Sequence, residues 1–413
     1  MNGVSRAFNA LKDEGIRSAA WRTGKWLTNR FNRFDPKPLS SVFEDDVIGV
    51  DWSKADNFNA AAVDRPADGY NIAWIIAPPS ATSGGHQNAF RFMKFLEDAG
   101  HRLTVYLYAA EKYPRFDAGQ VKRMLAESPG YPNLQADIRL YDPAAGIRGS
   151  FDAVIASNWE SAYAAYRYEG DAKRFYFVQD FEPSFYAAGT DHALAENTYR
   201  FGFHGLTAGR WLAGKLQREY GMTCDSFDFA VDTSVYTNGN HGKRREVLCY
   251  VRPPTPRRAT EFALLVLSEL HRLRPDIPIN LVGWDMSGYD VPFPYINNAA
   301  VSVAELNALY NRCAAGLALS LTNMSLVPME LMASGTVPVV NDAENTRGVF
   351  DSDYVEFMPM SPRSMAEKMI EIVDRPDAPE HADTIARSVA DGTWSDSGRV
   401  FVDHFETAMR TAL

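Results

Sequence analysis

The sequence has few cysteines, no long apolar run and no excess of positive charge, and each shortage excludes a class of protein. Its 413 residues include three cysteines, at positions 224, 249 and 313, with no CxxC spacing. A disulfide framework or a structural zinc site is therefore not expected, and a reducing cytoplasm is the simpler setting. The formal net charge of −10 argues against general nucleic-acid binding, which needs basic patches that neutralise phosphates.

No apolar stretch approaches the ~20 residues that span a bilayer, and the first residues lack the apolar core of a signal peptide. Residues 1–34 are nevertheless basic, with seven Lys or Arg against two acids, and Trp21, Trp26, Leu27 and Phe31 lie among them. Two interpretations stay open: an interfacial helix drawn to anionic lipid, or a solvated helix packed on the protein. We expect a cytoplasmic protein, with peripheral contact at the inner face of the plasma membrane in the first case.

What the sequence does contain is an ordinary globular composition and two series of alternating strand and helix patterns. The first series opens with an apolar strand at residues 71–77 and a helix at residues 86–99. The second opens with a strand at residues 246–251, after the polar stretch 237–245. Such alternation is typical of parallel α/β domains, and two of them facing each other form a cleft at the carboxyl ends of their sheets.

The segment 316–340 reads GLALSLTNMSLVPMELMASGTVPVV: an apolar strand, a polar loop, a short helix from Leu326 and a second apolar strand. Ser325 is a good N-cap, and Pro328 is tolerated in a first helical turn. The free N–H groups of such a helix favour an anion. Glu330, between apolar neighbours, either stabilises its own helix N-terminus or accepts hydrogen bonds from a ligand.

Two arginines and a glycine pair follow strands in the two series. Arg252 and Arg257 come directly after the strand at residues 246–251. Their guanidinium groups suit the oxygens of a diphosphate, the alternative being a surface basic patch. Gly84 and Gly85 follow the first strand and let the backbone approach a ligand closely, the alternative being a tight turn.

Polar residues also follow the strand at residues 173–178, in the order Gln179, Asp180, Phe181, Glu182. Asp180 or Glu182 is a candidate for orienting an acceptor hydroxyl or taking its proton. The alternative is a loop carboxylate paired with a nearby base such as Arg174. His86, beside the glycine pair, either contacts a ligand or caps its helix.

In combination, these segments resemble glycosyltransferase family 4, and the resemblance covers roughly residues 70 to 395. Two segments look more specifically like rhamnosyltransferases that build bacterial surface glycans from dTDP-rhamnose. The family signature of strand, loop and helix matches residues 320–340, with Glu330 at the second signature glutamate. The first glycine loop matches residues 83–85, the interdomain hinge 229–232 and the diphosphate segment 249–258. The two rhamnosyltransferase-like segments are 175–183 and 321–328.

The resemblance implies the α/β fold called GT-B, with two facing Rossmann-like domains, an interdomain cleft and here an N-terminal helical extension. The predicted divisions are the basic extension and lead-in at 1–68, the acceptor domain at 69–236, the nucleotide-sugar donor domain at 237–395, and a C-terminal helix at 396–413 that crosses back to the first domain. The implied reaction is retaining transfer of a sugar, L-rhamnose from dTDP-β-L-rhamnose, to a saccharide acceptor in surface-glycan synthesis. The nucleotide sugar is a substrate, and no cofactor or metal is expected.

Three positions depart from the family pattern. The usual first glutamate, eight positions before Glu330, falls on Thr322. The usual lysine falls on Arg257, and residues 158–160 stand where a histidine is expected. The residues at 351–353 read Asp-Ser-Asp, which in this position is typical of a turn and not of a metal site.

The resemblance and the residue types together give a set of candidate site residues. The catalytic candidates are Arg252, Arg257, Asp180 and Glu182; the donor-binding candidates are Gly84, Gly85, Gly283, Val301, Thr322, Asn323, Ser325, Leu326 and Glu330; the acceptor-binding candidates are His86 and Gln179. Two alternative functions stay open: transfer from a UDP- or GDP-hexose, and sugar binding without catalysis by a protein of the same fold.

Overall fold

The computed structural model describes residues 40–412 apart from 54–57, 60, 82, 111–116, 300, 325, 350 and 351. The predicted basic extension at residues 1–34 and the predicted N-cap Ser325 lie outside the described residues. The described chain forms two domains, each built on a parallel sheet with helices around it. This confirms the predicted fold class of two Rossmann-like domains.

The first domain contains a seven-stranded parallel sheet in the order β3-β2-β1-β4-β5-β6-β7. Its strands are β1 (Asn71–Ile76), β2 (Arg102–Leu107), β3 (Asp137–Leu140), β4 (Ala153–Ala156), β5 (Lys173–Val178), β6 (His204–Ala208) and β7 (Cys224–Phe227). Its helices are α1 (Glu44–Val47), α2 (Gly84–Asp98), α3 (Ala118–Glu127), α4 (Trp159–Arg167), α5 (Thr190–Thr198) and α6 (Arg210–Tyr220). The strand order reverses between β1 and β4, which opens a crevice at their carboxyl ends.

The second domain contains a six-stranded parallel sheet in the order β10-β9-β8-β11-β12-β13. Its strands are β8 (Glu246–Tyr250), β9 (Ile279–Val282), β10 (Ile296–Ala299), β11 (Cys313–Leu317), β12 (Val337–Asn341) and β13 (Glu356–Met358). Its helices are α7 (Thr260–Leu273), α8 (Val303–Tyr310), α9 (Val327–Ala333), α10 (Glu344–Arg347), α11 (Pro362–Asp374) and α12 (Ala378–Ser388). Here the order reverses between β8 and β11, so the loops after these two strands lie side by side.

The last helix, α13 (Trp394–Arg410), packs on the first domain. The ring of Phe401 lies 5.7 Å from that of Phe177, and the ring of Phe405 lies 5.1 Å from that of Phe175. The Lys173 ammonium donates a hydrogen bond of 2.6 Å to the carbonyl of Ala408. The chain therefore returns to the first sheet after completing the second.

One helix and the following strand differ from the sequence-based expectation. The apolar pattern predicts a helix at residues 303–314 and a strand at 316–320, but α8 ends at Tyr310 and β11 begins at Cys313. The side chain of Asn311 causes the early end, because it accepts from the backbone N–H groups of residues 239 and 240 and donates to the carbonyl of residue 237. The small residues 313–316 then fit between neighbouring strands.

No helix in the described part of the chain has the length and apolar character needed to cross a bilayer. The three cysteines are buried and have free thiols.

Candidate functional site between the two domains

The glycine pair of the first domain lies against the loop that follows β5. Gly84 and Gly85 begin helix α2, whose N-cap is Ser83. The side-chain amide of Gln179 donates a 3.0 Å hydrogen bond to the carbonyl of Gly85. The His86 ring lies 2.7 Å from the Ser83 hydroxyl, and burial lowers its pKa. The structure thus brings these four predicted residues together, with His86 engaged at the start of its own helix.

Three arginines gather after β8 in the second domain. The Arg252 side chain is exposed and, within the described residues, has no hydrogen-bond or ion-pair partner; its backbone N–H binds Thr260. Arg257 and Arg258 form a short 3-10 turn, and Arg258 donates a 3.0 Å hydrogen bond to the Ser320 hydroxyl. Burial lowers the pKa of Arg258; the nearby Asp180 carboxylate opposes this, while the charges of Arg257 and Arg252 lower the pKa further. The loop is therefore a concentrated region of positive charge.

Arg258 was not predicted as a site residue, because the family's usual lysine falls on its neighbour Arg257. The sequence shows two adjacent arginines, and either of them could face the cleft. The local turn decides the outcome: Arg258 reaches the Ser320 hydroxyl inside the second domain, while Arg257 crosses to the first.

Arg257 inserts into the first domain. Its Nε lies 3.3 Å from the Asp180 carboxylate, and its guanidinium lies 3.8 Å from the centre of the Phe185 ring. Asp180 is therefore a loop carboxylate paired with a base, as the alternative interpretation had it, but the base is Arg257 and not Arg174. Arg174 is fully buried and donates to backbone carbonyls, including a 2.7 Å bond to Ala165.

Asp180 is held by three hydrogen bonds and one ion pair, and three of these four contacts come from the second domain. Its oxygens accept from the Asn323 N–H at 2.7 Å, the Thr322 hydroxyl at 3.0 Å and the Phe181 N–H at 2.8 Å. The contact with Arg257 is an ion pair without hydrogen-bond geometry. Burial raises the pKa of the Asp180 carboxyl, and the two nearby arginines oppose this rise. With its oxygens engaged in this way, Asp180 connects the domains and is not free to take a proton from an acceptor.

Asn323 completes the connection. Its side-chain amide donates to the carbonyl of Gln179 at 2.8 Å and to that of Ala208 at 3.2 Å. Thr322 and Asn323, predicted to bind the donor, thus contact the first domain in this structure. Both lie in the loop after β11, beside the arginine loop after β8, and the backbone N–H of Leu321 donates to the carbonyl of Arg257.

Glu182 is enclosed, which removes it from the candidates for acceptor activation. Its carboxylate accepts from the backbone N–H of Trp159 at 2.6 Å and from the Tyr176 hydroxyl at 3.1 Å, and the residue is 7% exposed. Burial raises the pKa of Glu182 well above its ordinary value, and the charge of Glu160 adds to this. These contacts give Glu182 a structural role at the N-terminus of α4.

The short helix α9 begins one residue later than predicted. Its first residue is Val327 and its N-cap is Leu326, which offers no side-chain hydrogen bond to the helix. Pro328 stands in the first turn, as predicted. Among the described residues, no side chain caps the first backbone N–H groups of this helix, and N–H groups at a helix start suit an anion.

Glu330 is half-buried, and tyrosines face its carboxylate. The Tyr310 hydroxyl donates to it over 3.2 Å, and the Tyr236 ring stacks on that of Tyr310 with ring centres 5.9 Å apart. Burial raises the pKa of Glu330 to about 7, while the two tyrosines act in the opposite direction. The carboxylate is thus partly removed from water, and among the described residues no cation lies beside it. Sequence reasoning missed both tyrosines, since neither has a spacing that points to Glu330.

Gly283 and Val301 occupy the border of the second domain's sheet. Gly283 has φ of +105°, and a Cβ there would lie 2.6 Å from the Tyr250 ring. Tyr250 and Val301 pack on the same apolar cluster, which contains Leu248 and Val327. Packing therefore accounts for the glycine, and the donor contact predicted for both residues stays a prediction.

A cavity of about 430 Å³ lies between the domains. The first domain contributes residues that include Gly209 and Phe229, and the second contributes residues that include Asn323, Met329 and Asp353. The volume is within the usual range of small-molecule sites, about 300–1,000 Å³. Within the described residues no cluster of three His, Cys, Asp or Glu side chains could hold a metal ion.

The fold and the site together define a class. Two Rossmann-like domains, with arginines and a helix N-terminus at the cleft between them, are the architecture of the GT-B glycosyltransferases.

Comparisons with known proteins agree with this class. Residues 245–370 match the family described as WsaF, C-terminal domain, and residues 149–207 match WsaF, N-terminal domain. The chain is 31% identical over 286 residues to the O-antigen biosynthesis protein RfbC of Myxococcus xanthus. The aligned region covers 66% of this chain and 22% of RfbC. The chain thus spans about a fifth of the length of this curated relative.

Solved structures share the fold at low sequence identity. TarM of S. aureus, solved with fondaparinux, alpha-GlcNAc-glycerol and UDP, superposes with a TM-score of 0.64 at 8% identity, covering 83% of this chain and 100% of that chain. HepE of Anabaena, solved with UDP-glucose, gives a TM-score of 0.61 at 12% identity, covering 82% and 100%. The family matches, the relative and the shared fold support a glycosyltransferase.

Proposed function

We propose that the protein transfers a sugar from a nucleotide donor to a saccharide in the synthesis of a cell-surface polysaccharide. The observation that carries this proposal is the positive loop of Arg252, Arg257 and Arg258 beside the start of α9, at the carboxyl ends of adjacent strands. A leaving diphosphate develops negative charge, and fixed cations and N–H groups at that point stabilise the transition state. The O-antigen relative supports the surface-polysaccharide role.

The proposed donor is dTDP-β-L-rhamnose, and the proposed course is retention. Support comes from the resemblance of residues 175–183 and 321–328 to rhamnosyltransferases. In this mechanism the arginines hold the diphosphate, and Glu330 accepts from a hydroxyl of the nucleoside. The acceptor attacks from the face that the diphosphate leaves, through an ion-pair-like state.

The alternative function is that the protein binds sugar without catalysing its transfer, and Asp180 is relevant to it. That alternative rests on the missing family glutamate at position 322. The Asp180 carboxylate lies 3.0 Å from the Thr322 hydroxyl, so the first domain supplies a carboxylate at this point of the cleft. Because the contacts of this carboxylate are already taken, donor hydrolysis or sugar transfer that disappears in Arg252→Ala decides between the enzyme and the binding protein.

Replacing Arg252 by Ala should weaken nucleoside diphosphate binding without lowering stability. A charge-assisted hydrogen bond contributes about 1.5–3 kcal/mol, so the dissociation constant should rise roughly 10- to 100-fold. Calorimetric titration with dTDP measures it. Arg363→Ala is the matched control, since that arginine pairs with Glu269 and Glu367 on the outer surface and its loss should leave dTDP binding unchanged. Unchanged dTDP binding in Arg252→Ala would contradict the proposed site.

Thermal unfolding with added nucleotide distinguishes a dTDP-linked donor from a UDP- or GDP-linked donor. A ligand that binds the folded state raises the unfolding midpoint by mass action, so dTDP should raise it more than UDP or GDP at equal concentration. The alternative donor, a UDP-hexose, has support from the neighbours TarM and HepE, which were solved with UDP and UDP-glucose. A larger midpoint increase with UDP would select it.

The basic residues 1–34 suggest that the protein also contacts a membrane. We place the protein at the inner face of the plasma membrane, with these residues on anionic lipid. Co-sedimentation with vesicles that contain phosphatidylglycerol should require residues 1–34, and equal sedimentation of a chain lacking them would exclude this contact.

A further inference from the structure

The arginine loop after β8 is closed by a hydrogen bond between its two ends. The parallel ladder between β8 and β9 extends to Val251, whose backbone N–H donates to the carbonyl of Val282 at 2.9 Å. The next backbone N–H, that of Arg252, lies beyond the ladder and needs another acceptor. The hydroxyl of Thr260, the first residue of helix α7, accepts from it at 2.9 Å. The start of the loop is thus fastened to the start of the helix that follows it.

Inside the loop the backbone has little freedom. Prolines stand at positions 253, 254 and 256, and each proline ring fixes its own φ. Three backbone hydrogen bonds of 2.9 Å form successive turns, from the N–H of Thr255 to the carbonyl of Arg252, from Arg258 to Thr255 and from Ala259 to Pro256. Arg252 is therefore held on both sides, because its carbonyl begins the first turn while its N–H is bound to Thr260.

The start of α7 overrides two local preferences of helices. Its N-cap is Ala259, which has φ of 46° and ψ of 43°, a left-handed conformation that is unfavourable for residues with a Cβ. Alanine also offers no side-chain oxygen to the first N–H groups of the helix. Thr260, which has such an oxygen, uses it for Arg252 instead. Backbone strain of this kind is concentrated at functional sites, and here it lies next to the arginines.

Arg252 depends on its backbone more than the other two arginines do. The side chain of Arg257 pairs with the first domain, and that of Arg258 is bonded inside the second. The Arg252 side chain is exposed and has no partner within the described residues. Like charges repel one another, so an unfastened Arg252 would move away from its two neighbours.

We propose that Thr260 is a positioning residue for the donor diphosphate: by closing the loop, it holds Arg252 in place before the ligand arrives. The inference rests on the proposed function. Thr260 is 3% exposed, so it acts through Arg252 and not by touching the ligand. A side chain that is already in place needs less ordering on binding, and such pre-organisation raises affinity.

Thr260→Val tests the proposal, because valine keeps the size and branching of threonine and removes only the hydroxyl. Thr260→Ser is the conservative rescue, since it restores that hydroxyl. The matched control is Thr198→Val, in which a fully buried threonine of the first domain loses a hydroxyl that donates to the carbonyl of Ala195 at 2.7 Å. Calorimetry measures the binding of inorganic pyrophosphate, dTDP and UDP, and hydrogen exchange measures the protection of the Arg252 amide.

Thr260→Val should raise the dissociation constants of pyrophosphate and dTDP about three- to tenfold, because Arg252 would then be ordered only on binding. The Arg252 amide should exchange faster in the same variant. Thr260→Ser should restore both the affinity and the protection, and Thr198→Val should change neither. Unchanged pyrophosphate affinity in Thr260→Val, or no pyrophosphate binding by the wild type, would overturn the proposal.

A double-mutant cycle shows whether Thr260 acts through Arg252. In an Arg252→Ala background, Thr260→Val should change pyrophosphate and dTDP affinity by less than about twofold. An undiminished loss of affinity in that background would assign Thr260 a role independent of Arg252 and overturn the proposal. If pyrophosphate binding follows these expectations but neither dTDP nor UDP binds more tightly than pyrophosphate, the positioning role stands and the proposed transferase fails.

Discussion

Replacing Asp180 by Ala should abolish most sugar transfer while leaving nucleoside diphosphate binding intact or tighter. The substitution removes the carboxylate that joins Arg257, Thr322 and Asn323 to the first domain. Misplacing a reacting group by about 1 Å can lower a rate roughly 100-fold, so kcat should fall by about that factor. The positive loop loses a negative neighbour at the same time, and a diphosphate should bind there no less tightly.

The same substitution should destabilise the contact between the domains. Removing one partner of a buried ion pair typically costs about 3–5 kcal/mol, and small-angle scattering should show a larger radius of gyration if the domains separate. The matched control is Arg218→Ala, which removes the exposed interdomain pair of Arg218 with Glu344 at 2.9 Å. Exposed pairs contribute about 1 kcal/mol or less, so the control should keep its activity and shape. A parallel loss of dTDP affinity and kcat in Asp180→Ala would show that the carboxylate only supports the fold.

The sequence predicted those parts of the fold that depend on local patterns. Strand β5 is apolar and fully buried, and its predicted bounds agree with the structure at both ends. Helix α7 (Thr260–Leu273) follows from a local pattern in the same way, because its apolar positions recur at helical spacing. Strands β7 and β10 were missed, since each lies at the edge of a sheet and shows no continuous apolar run.

The candidate site could be predicted in its segments but not in its contacts. The loops after β8 and β11 were identified, because parallel α/β sheets place ligands at such carboxyl ends. The bond between Asp180 and Asn323 joins residues 143 positions apart, on two domains whose mutual orientation no local pattern encodes. The contact between Tyr310 and Glu330 could not be predicted either, because it depends on where helix α8 ends and where helix α9 begins.

Replacing Glu330 by Gln should stabilise the ligand-free protein at pH 8 and change its stability little near pH 4. Burial raises the pKa of this carboxyl from 4.5 to about 7. Between these values the unfolded chain ionises while the folded protein keeps the proton, so the wild type loses stability as the pH rises and carries the full cost above about pH 7. At about 1.4 kcal/mol per pKa unit, the cost reaches roughly 3 kcal/mol.

Denaturant unfolding of the wild type and Glu330→Gln at several pH values measures this difference, with the exposed Glu127→Gln as the control. The stability gain should grow from pH 4.5 to 7 and then level off, and a gain that is constant or shrinks with pH would contradict the explanation. The same substitution should weaken dTDP binding roughly 10- to 100-fold, since a hydrogen bond to a charged group contributes about 1.5–3 kcal/mol. A residue that lowers the stability of the free protein and strengthens nucleotide binding is one whose carboxylate serves the ligand rather than its own helix.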